Sequence, residues 1–241
     1  MRYIILLCLS LASTITYAQE GEVIFFENFE DNDLEPELTA VPNVSGENGI
    51  VEIRNFDKGL GLGGYDIRLG KSQDGNGLTV NALDLSLDLS TYADSELELS
   101  FWFAHFFDET QFEDGVFFSD DGGASFTRAI ALDPDKWLND TYGSFPVFDL
   151  DSLIRKAGLS FSNQFVIRFQ QSGIDDFNVR FGEDGLFLDD ILVKVADPIT
   201  YATLPYSDDF EDGLGISWKV GYAQLDESGN AIPGTTPASN I

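Results

Sequence analysis

The chain has 241 residues, of which one is cysteine and one is histidine. The cysteine is Cys8. A single cysteine builds no internal disulfide and no thiolate zinc site. With His105 as the only histidine, most hydrolytic triads and histidine zinc sites are excluded too. Basic residues are scarce: 13 Lys and Arg stand against 42 Asp and Glu, a net charge of −29. Such a surface repels nucleic acid and anionic lipid, and it attracts cations. The strand–helix alternation of a parallel α/β fold is missing. After the first eighteen residues, no run is long and apolar enough to cross a bilayer as a helix.

Those first residues have a character of their own. Met1-Arg2 gives a positive start, Tyr3 to Ile15 is mostly apolar, and Ala18 precedes Gln19. The pattern predicts a signal peptide over 1–18 and a secreted or cell-surface protein. Cys8 leaves with the leader, so the exported chain has no cysteine. That absence points towards a bacterial export route. Losing Arg2 makes the net charge one unit more negative. What remains is no disordered acidic tail, because the chain is 43% hydrophobic with 21 Phe.

The dominant pattern is period two. In "ELELSFWFAHFF", Leu97, Leu99, Phe101, Phe103 and His105 share one face; Glu98, Ser100, Trp102, Ala104 and Phe106 share the other. In "QFVIRFQQ", Phe165, Ile167 and Phe169 face one way. "GVFFSDDGGASFTRAIAL" reads as strand, tight turn and strand, with Asp121-Gly122-Gly123 at the turn. "DGLFLDDILVKV" is a further strand. Only "DLDSLIRKAG" offers a helix, capped by an Asp before it and Gly158 after it. Many short strands between Gly-rich turns predict an all-β fold: an antiparallel two-sheet sandwich of jelly-roll type.

The opening "ENFED" returns near the end as "DDFED". Phe29 and Phe210 lie 210 − 29 = 181 positions apart, a domain-sized interval. The expected organisation is a sandwich module over 19–197, a Pro-flanked linker over 198–203, and over 204–241 the truncated start of a second similar module.

Four carboxylates form the leading site constellation. If the first and last strands lie side by side, Glu30 and Asp31 of "FEDND" meet Asp189 and Asp190 of "FLDDILV". Hard oxygens in such a place suit Ca²⁺, which takes six to eight of them. Adjacent strand residues point to opposite faces, so one of Asp189 and Asp190 addresses an ion directly. By alternation Asp189 shares a face with Phe187, Ile191 and Val193. A solvated acidic edge is the plainer alternative. "SDDGGASF" fits the Asp-box pattern, a structural hairpin. "GLGLGG" fits G-x-G-x-x-G only on paper, because no helix start follows it. His105 reads as a core histidine. Trp102 and Phe106 share a strand face and are candidates for a ligand-binding platform, with core packing as the alternative. No Glu-x-Asp-x-x-Glu run of a glucanase is present.

In order, "FFENFED", "LDLSTYADSELELSFWF", "DGVFFSDDGGASF", "FVIRFQQSG" and "DGLFLDDILV" resemble the MAM-like jelly-roll modules of secreted bacterial proteins. The cleaved-adhesin domains of gingipains and the choice-of-anchor domains of Bacteroidota are of this type. The resemblance covers about residues 23–196 and begins again at about 204. It implies a concanavalin-A-like or galactose-binding-like sandwich with structural Ca²⁺. By position it places Glu30 and Asp189 at the metal, with Asp31 and Asp190 as weaker matches. The function implied is non-catalytic: adhesion to, or binding of, an extracellular glycan or protein surface. The alternative is an accessory carbohydrate-binding module of a larger secreted hydrolase. The disulfides of animal MAM domains are absent, as is the tryptophan that commonly follows the Phe-Glu opening; the second copy has Trp218.

Overall fold

The computed structural model describes residues 21–42, 49–55, 64–71, 78–106, 113–132, 146–174 and 185–197. The expected leader, the linker, the second Phe-Glu-Asp segment with Trp218, and all but the last residue of "GLGLGG" lie outside the described residues.

The alternating segments form two sheets. One runs β3 (Gly49–Asn55), β4 (Tyr65–Lys71), β11 (Gly185–Val195), β6 (Leu97–Phe106) and β9 (Val147–Asp149), and β1 (Val23–Glu27) also pairs with β11. The other runs β2 (Leu38–Val41), β5 (Leu78–Leu87), β10 (Phe165–Ile174), β7 (Gly115–Ser119) and β8 (Thr127–Ala131). Every pairing among the described strands is antiparallel. The fold is the all-β, two-sheet jelly-roll sandwich.

Period-two alternation explains why the sheets stack. Leu97, Leu99, Phe101 and Phe103 of β6 meet Phe165, Ile167 and Phe169 of β10 in one core. Phe101 and Phe169 touch edge to face across the sandwich, with ring centroids 5.0 Å apart. His105 lies on the same inward row, fully buried, with its ring edge to face against Phe103.

The short helix α1 (Leu150–Lys156) forms where its caps predict. The Asp149 carboxylate accepts from Ser152 N at 2.9 Å, and Gly158 takes φ +73° just past the last turn. Asp151 ties the helix to β6, accepting from Leu97 N at 2.8 Å. The Asp-box hairpin is structural. Asp121 accepts from the hydroxyls of Ser119 (2.7 Å) and Ser125 (2.6 Å) and from Ser125 N. These bonds hold its carboxyl down to about 2.

β11 is the strand that positions the site. β4 pairs with it through Leu186–Leu188, and β1 pairs with it through Ile191–Lys194, both antiparallel. The two strands therefore lie end to end along one edge of β11. The gap between them falls opposite Asp189 and Asp190. On the other edge, Asp189 faces Trp102 and Leu192 faces Ser100, so three steps of β11 match two of β6. This is a β-bulge, and Asp190 carries its left-handed turn at φ +47°.

Candidate functional site

The bulge corrects one reading of alternation. One extra residue flips every later side chain to the other face. Ile191 and Val193 point into the core, whereas Asp189 stays with Phe187 on the outer face of the six-stranded sheet.

The notch between β1 and β4 is built by three carboxylates from the first half of the chain. Glu27 ends β1 with its side chain buried. Its Oε1 accepts from Phe29 N at 2.6 Å and its Oε2 from Glu35 N at 3.2 Å. These bonds wrap the loop around the carboxylate and hold Phe29 at φ +56°, its ring fully buried. Glu30 reaches across to the start of β4, where its Oε1 accepts from Tyr65 N at 3.0 Å. Gly64 makes room: a Cβ there would collide with the Glu30 carboxylate. Asp66, on β4, is buried beside Asp189.

β11 supplies the other two carboxylates. Asp189 is 6% exposed, and its Oδ1 accepts from Asp190 N at 2.7 Å. Burial pushes its carboxyl up to about 7, helped by the charges of Asp190, Asp66 and Glu30 and opposed only by that backbone bond. Burial, and then the Glu30 charge, raises Asp190 as well. Phe29, Asn32 and Asp190 are the described non-glycine residues with positive φ; Asp190 is at the bulge, and Phe29 and Asn32 lie in the loop that follows β1. Strained backbone of this kind persists only where its surroundings fix it.

Of the four residues expected to converge, Glu30, Asp189 and Asp190 are brought into one electrostatic neighbourhood. Asp31 is exposed and turns back on its own loop, its Oδ1 accepting from Asp33 N at 3.0 Å. Among the described residues, no group of three or more His, Cys, Asp or Glu side chains is arranged to hold a metal ion. Sequence reasoning missed Glu27 and Asp66. Glu27 carried a signal, because it falls on the same alternating face of "VIFFE" as the core residue Phe25.

Trp102 and Phe106 do share a face, but it is not an exposed platform. They are 7% and 3% exposed. With Ala104 and Phe187 they form a second buried cluster on the outer face of the sheet. Phe106 packs edge to face on Phe187, and the Arg54 guanidinium lies 5.9 Å from the Phe187 ring centre. A stacking platform needs an uncovered ring, so the expectation is corrected to a buried aromatic cluster.

No family model matches the chain, and no curated protein matches it. Solved structures do. The K1 cleaved adhesin domain of Lys-gingipain from Porphyromonas gingivalis is similar at 18% identity and TM-score 0.46, over 72% of this chain and 98% of that one. The CBM22-1 xylan-binding domain from Paenibacillus barcinonensis is similar at 12% identity and TM-score 0.41, over 75% and 99%. A family 11 carbohydrate-binding module from Clostridium thermocellum, solved with a β-1,3-1,4-mixed-linked tetrasaccharide, is similar at 12% and 0.41, over 75% and 98%. At such identities no residue role transfers.

Proposed function

We propose that this chain is a non-catalytic, exported binding or adhesion module whose notch at the β11 bulge takes a structural Ca²⁺. The observation that carries the reading is the gathering of Glu30, Asp66, Asp189 and Asp190 where β1 stops and β4 starts. The donor chemistry fits the ion. All four offer hard oxygens, as Ca²⁺ prefers. Like charges and burial press Asp189 towards its neutral form, and a divalent cation would offset both. Glu30, Asp189 and Asp190 would have to draw closer together to hold the ion, since no three such side chains are so arranged among the described residues, and Asp31 would have to turn from its own loop to join them. The ion would clamp the end of β1 to the start of β4 and so fasten the first strand to the last. Catalysis does not enter this reading. The one histidine is in the core, and Asp189 is too enclosed to reach a substrate.

The test is thermal unfolding of the full exported chain with Ca²⁺ and with chelator. An ion at a hundred times its Kd adds about 2.7 kcal/mol. For a domain of this size that is roughly 5–10 °C in midpoint. Asp189→Asn should remove the response while leaving the chelated protein at least as stable, because it relieves the repulsion. Equal midpoints for the wild type in both conditions would remove the ion from the account.

A further inference from the structure

Among the described residues, four large hydrophobic side chains are exposed, and three of them, Val23, Phe26 and Val147, come from strands of the six-stranded sheet. Register puts two of the three in a single row on its outer face. Phe26 lies opposite Leu192, Leu192 opposite Ser100, and Ser100 opposite Val147, across β1, β11, β6 and β9. Phe26 is 48% exposed and Val147 45%, and Leu192 between them is half-buried. The adjoining row opens on Val23 and continues with Lys194 and Glu98, whose Nζ and Oε2 lie 3.5 Å apart.

We propose that this face is the contact surface for a neutral polysaccharide, with a sugar ring stacked on Phe26. The inference rests on reading the chain as a binding module and gives that module its surface and ligand class. Size argues first. Four strands about 4.8 Å apart make a row about 14 Å wide. A stable dimer needs about 800 Å² on each partner, which a row of three apolar side chains does not supply. Charge argues second: a net charge of −29 opposes both a second copy and an anionic polymer. Backbone argues third. A peptide added as a strand needs a sheet edge. Along this row β11 is paired on both edges, with β1 and β6, and β6 is paired with β9, so among the described strands a peptide strand could add only beyond β1 or β9, beside the face and not across it. A sugar ring needs no backbone. Its C–H face suits the exposed Phe26 ring, and its hydroxyls find an acceptor in Glu98 and a donor in Lys194 beside it.

The experiment is affinity electrophoresis of the full chain in gels containing, one at a time, soluble dextran, a β-glucan, a xylan, a galactan and polygalacturonate. Retardation is expected in at least one neutral gel. Phe26→Ala and Phe26→Leu should weaken it about tenfold and Phe26→Trp should preserve it, each with unchanged melting. Retardation of Phe26→Ala equal to wild type would overturn the inference and leave the binding-module reading standing. No retardation of the wild type in any neutral gel would overturn it as well, and the Ca²⁺ response in melting, which does not involve Phe26, then judges the module reading separately. Retardation by polygalacturonate alone, or a dimer in sedimentation that Phe26→Ala dissociates, would also refute it.

Discussion

Removing the Glu27 carboxylate should unfasten the notch from within. The side chain is buried and accepts from two backbone N–H groups of its own loop. A hydrogen bond to a charged acceptor is worth about 1.5–3 kcal/mol. The Phe29 bond, short and buried, belongs at the upper end. The Glu35 bond is partly exposed, so water recovers part of its loss. Glu27→Ala should therefore cost about 3 kcal/mol, and more if Phe29 gives up its left-handed turn and its buried seat. At about 2–4 °C per kcal/mol, the melting midpoint should fall by roughly 6–12 °C. Glu27→Gln keeps one acceptor oxygen of the same shape and should lose about half as much. Glu37→Ala, on the exposed flank of the same loop, is the control and should change nothing. Calorimetry in chelator isolates the fold from any ion. A Glu27→Ala midpoint within about 1 °C of wild type would show that the loop does not depend on this carboxylate.

Two further predictions concern the other sheet. Asp121 is held down to about 2 from 3.8, so it contributes stability above pH 4 that is lost as pH falls through about 2; Asp121→Asn should flatten that part of a melting-against-pH curve without altering any Ca²⁺ response. Arg168 binds Asp84 through Nε (2.7 Å) and Nη2 (2.8 Å) and lies over the Phe126 ring at 3.8 Å, so Arg168→Lys should lose both the fork and the stack, costing about 1–2 kcal/mol, with a double-mutant cycle against Asp84→Ala reporting positive coupling.

The architecture was legible because alternation is local. "ELELSFWFAH", "QFVIRFQQ" and "GVFFS" each carry their own face assignment, and the caps around α1 carry theirs. Pairing of the first strand with the last is the condition for the two acidic motifs to meet, a jelly roll allows it, and β1 does lie on β11. What alternation cannot report is a break in itself. "LFLDDILV" reads as one continuous strand, yet the bulge at Asp190 puts Asp189 on one face and Ile191 on the other. Asp66 was illegible for a related reason. It sits one residue past a glycine run, after Tyr65, and only the end-to-end placement of β1 and β4 brings it to Asp189. The burial of Trp102 and Phe106 was not legible either. A strand's outer face carries the same residue types whether it is covered or open.

The raised carboxyl of Asp189 ties the notch to pH in a direction opposite to that of Asp121. An unfolded Asp releases its proton near 3.8, whereas folded Asp189 holds it up to about 7. Between those values the folded state binds the extra proton, so rising pH favours unfolding. In chelator, this residue's contribution should be most favourable below pH 4, decline as pH rises through about 7, and then level off. Asp190, raised for the same reasons, adds to the decline. Many other carboxylates titrate in this range, so the informative quantity is the difference between wild type and Asp189→Asn, in which no proton can be lost. Wild type should match the variant near pH 4 and fall progressively below it towards pH 7. Saturating Ca²⁺ should restore wild type at pH 7 and leave the variant where it was. A difference independent of pH would mean that Asp189 ionises as it does in the unfolded chain, and that the notch does not crowd its carboxylates as the β11 bulge implies.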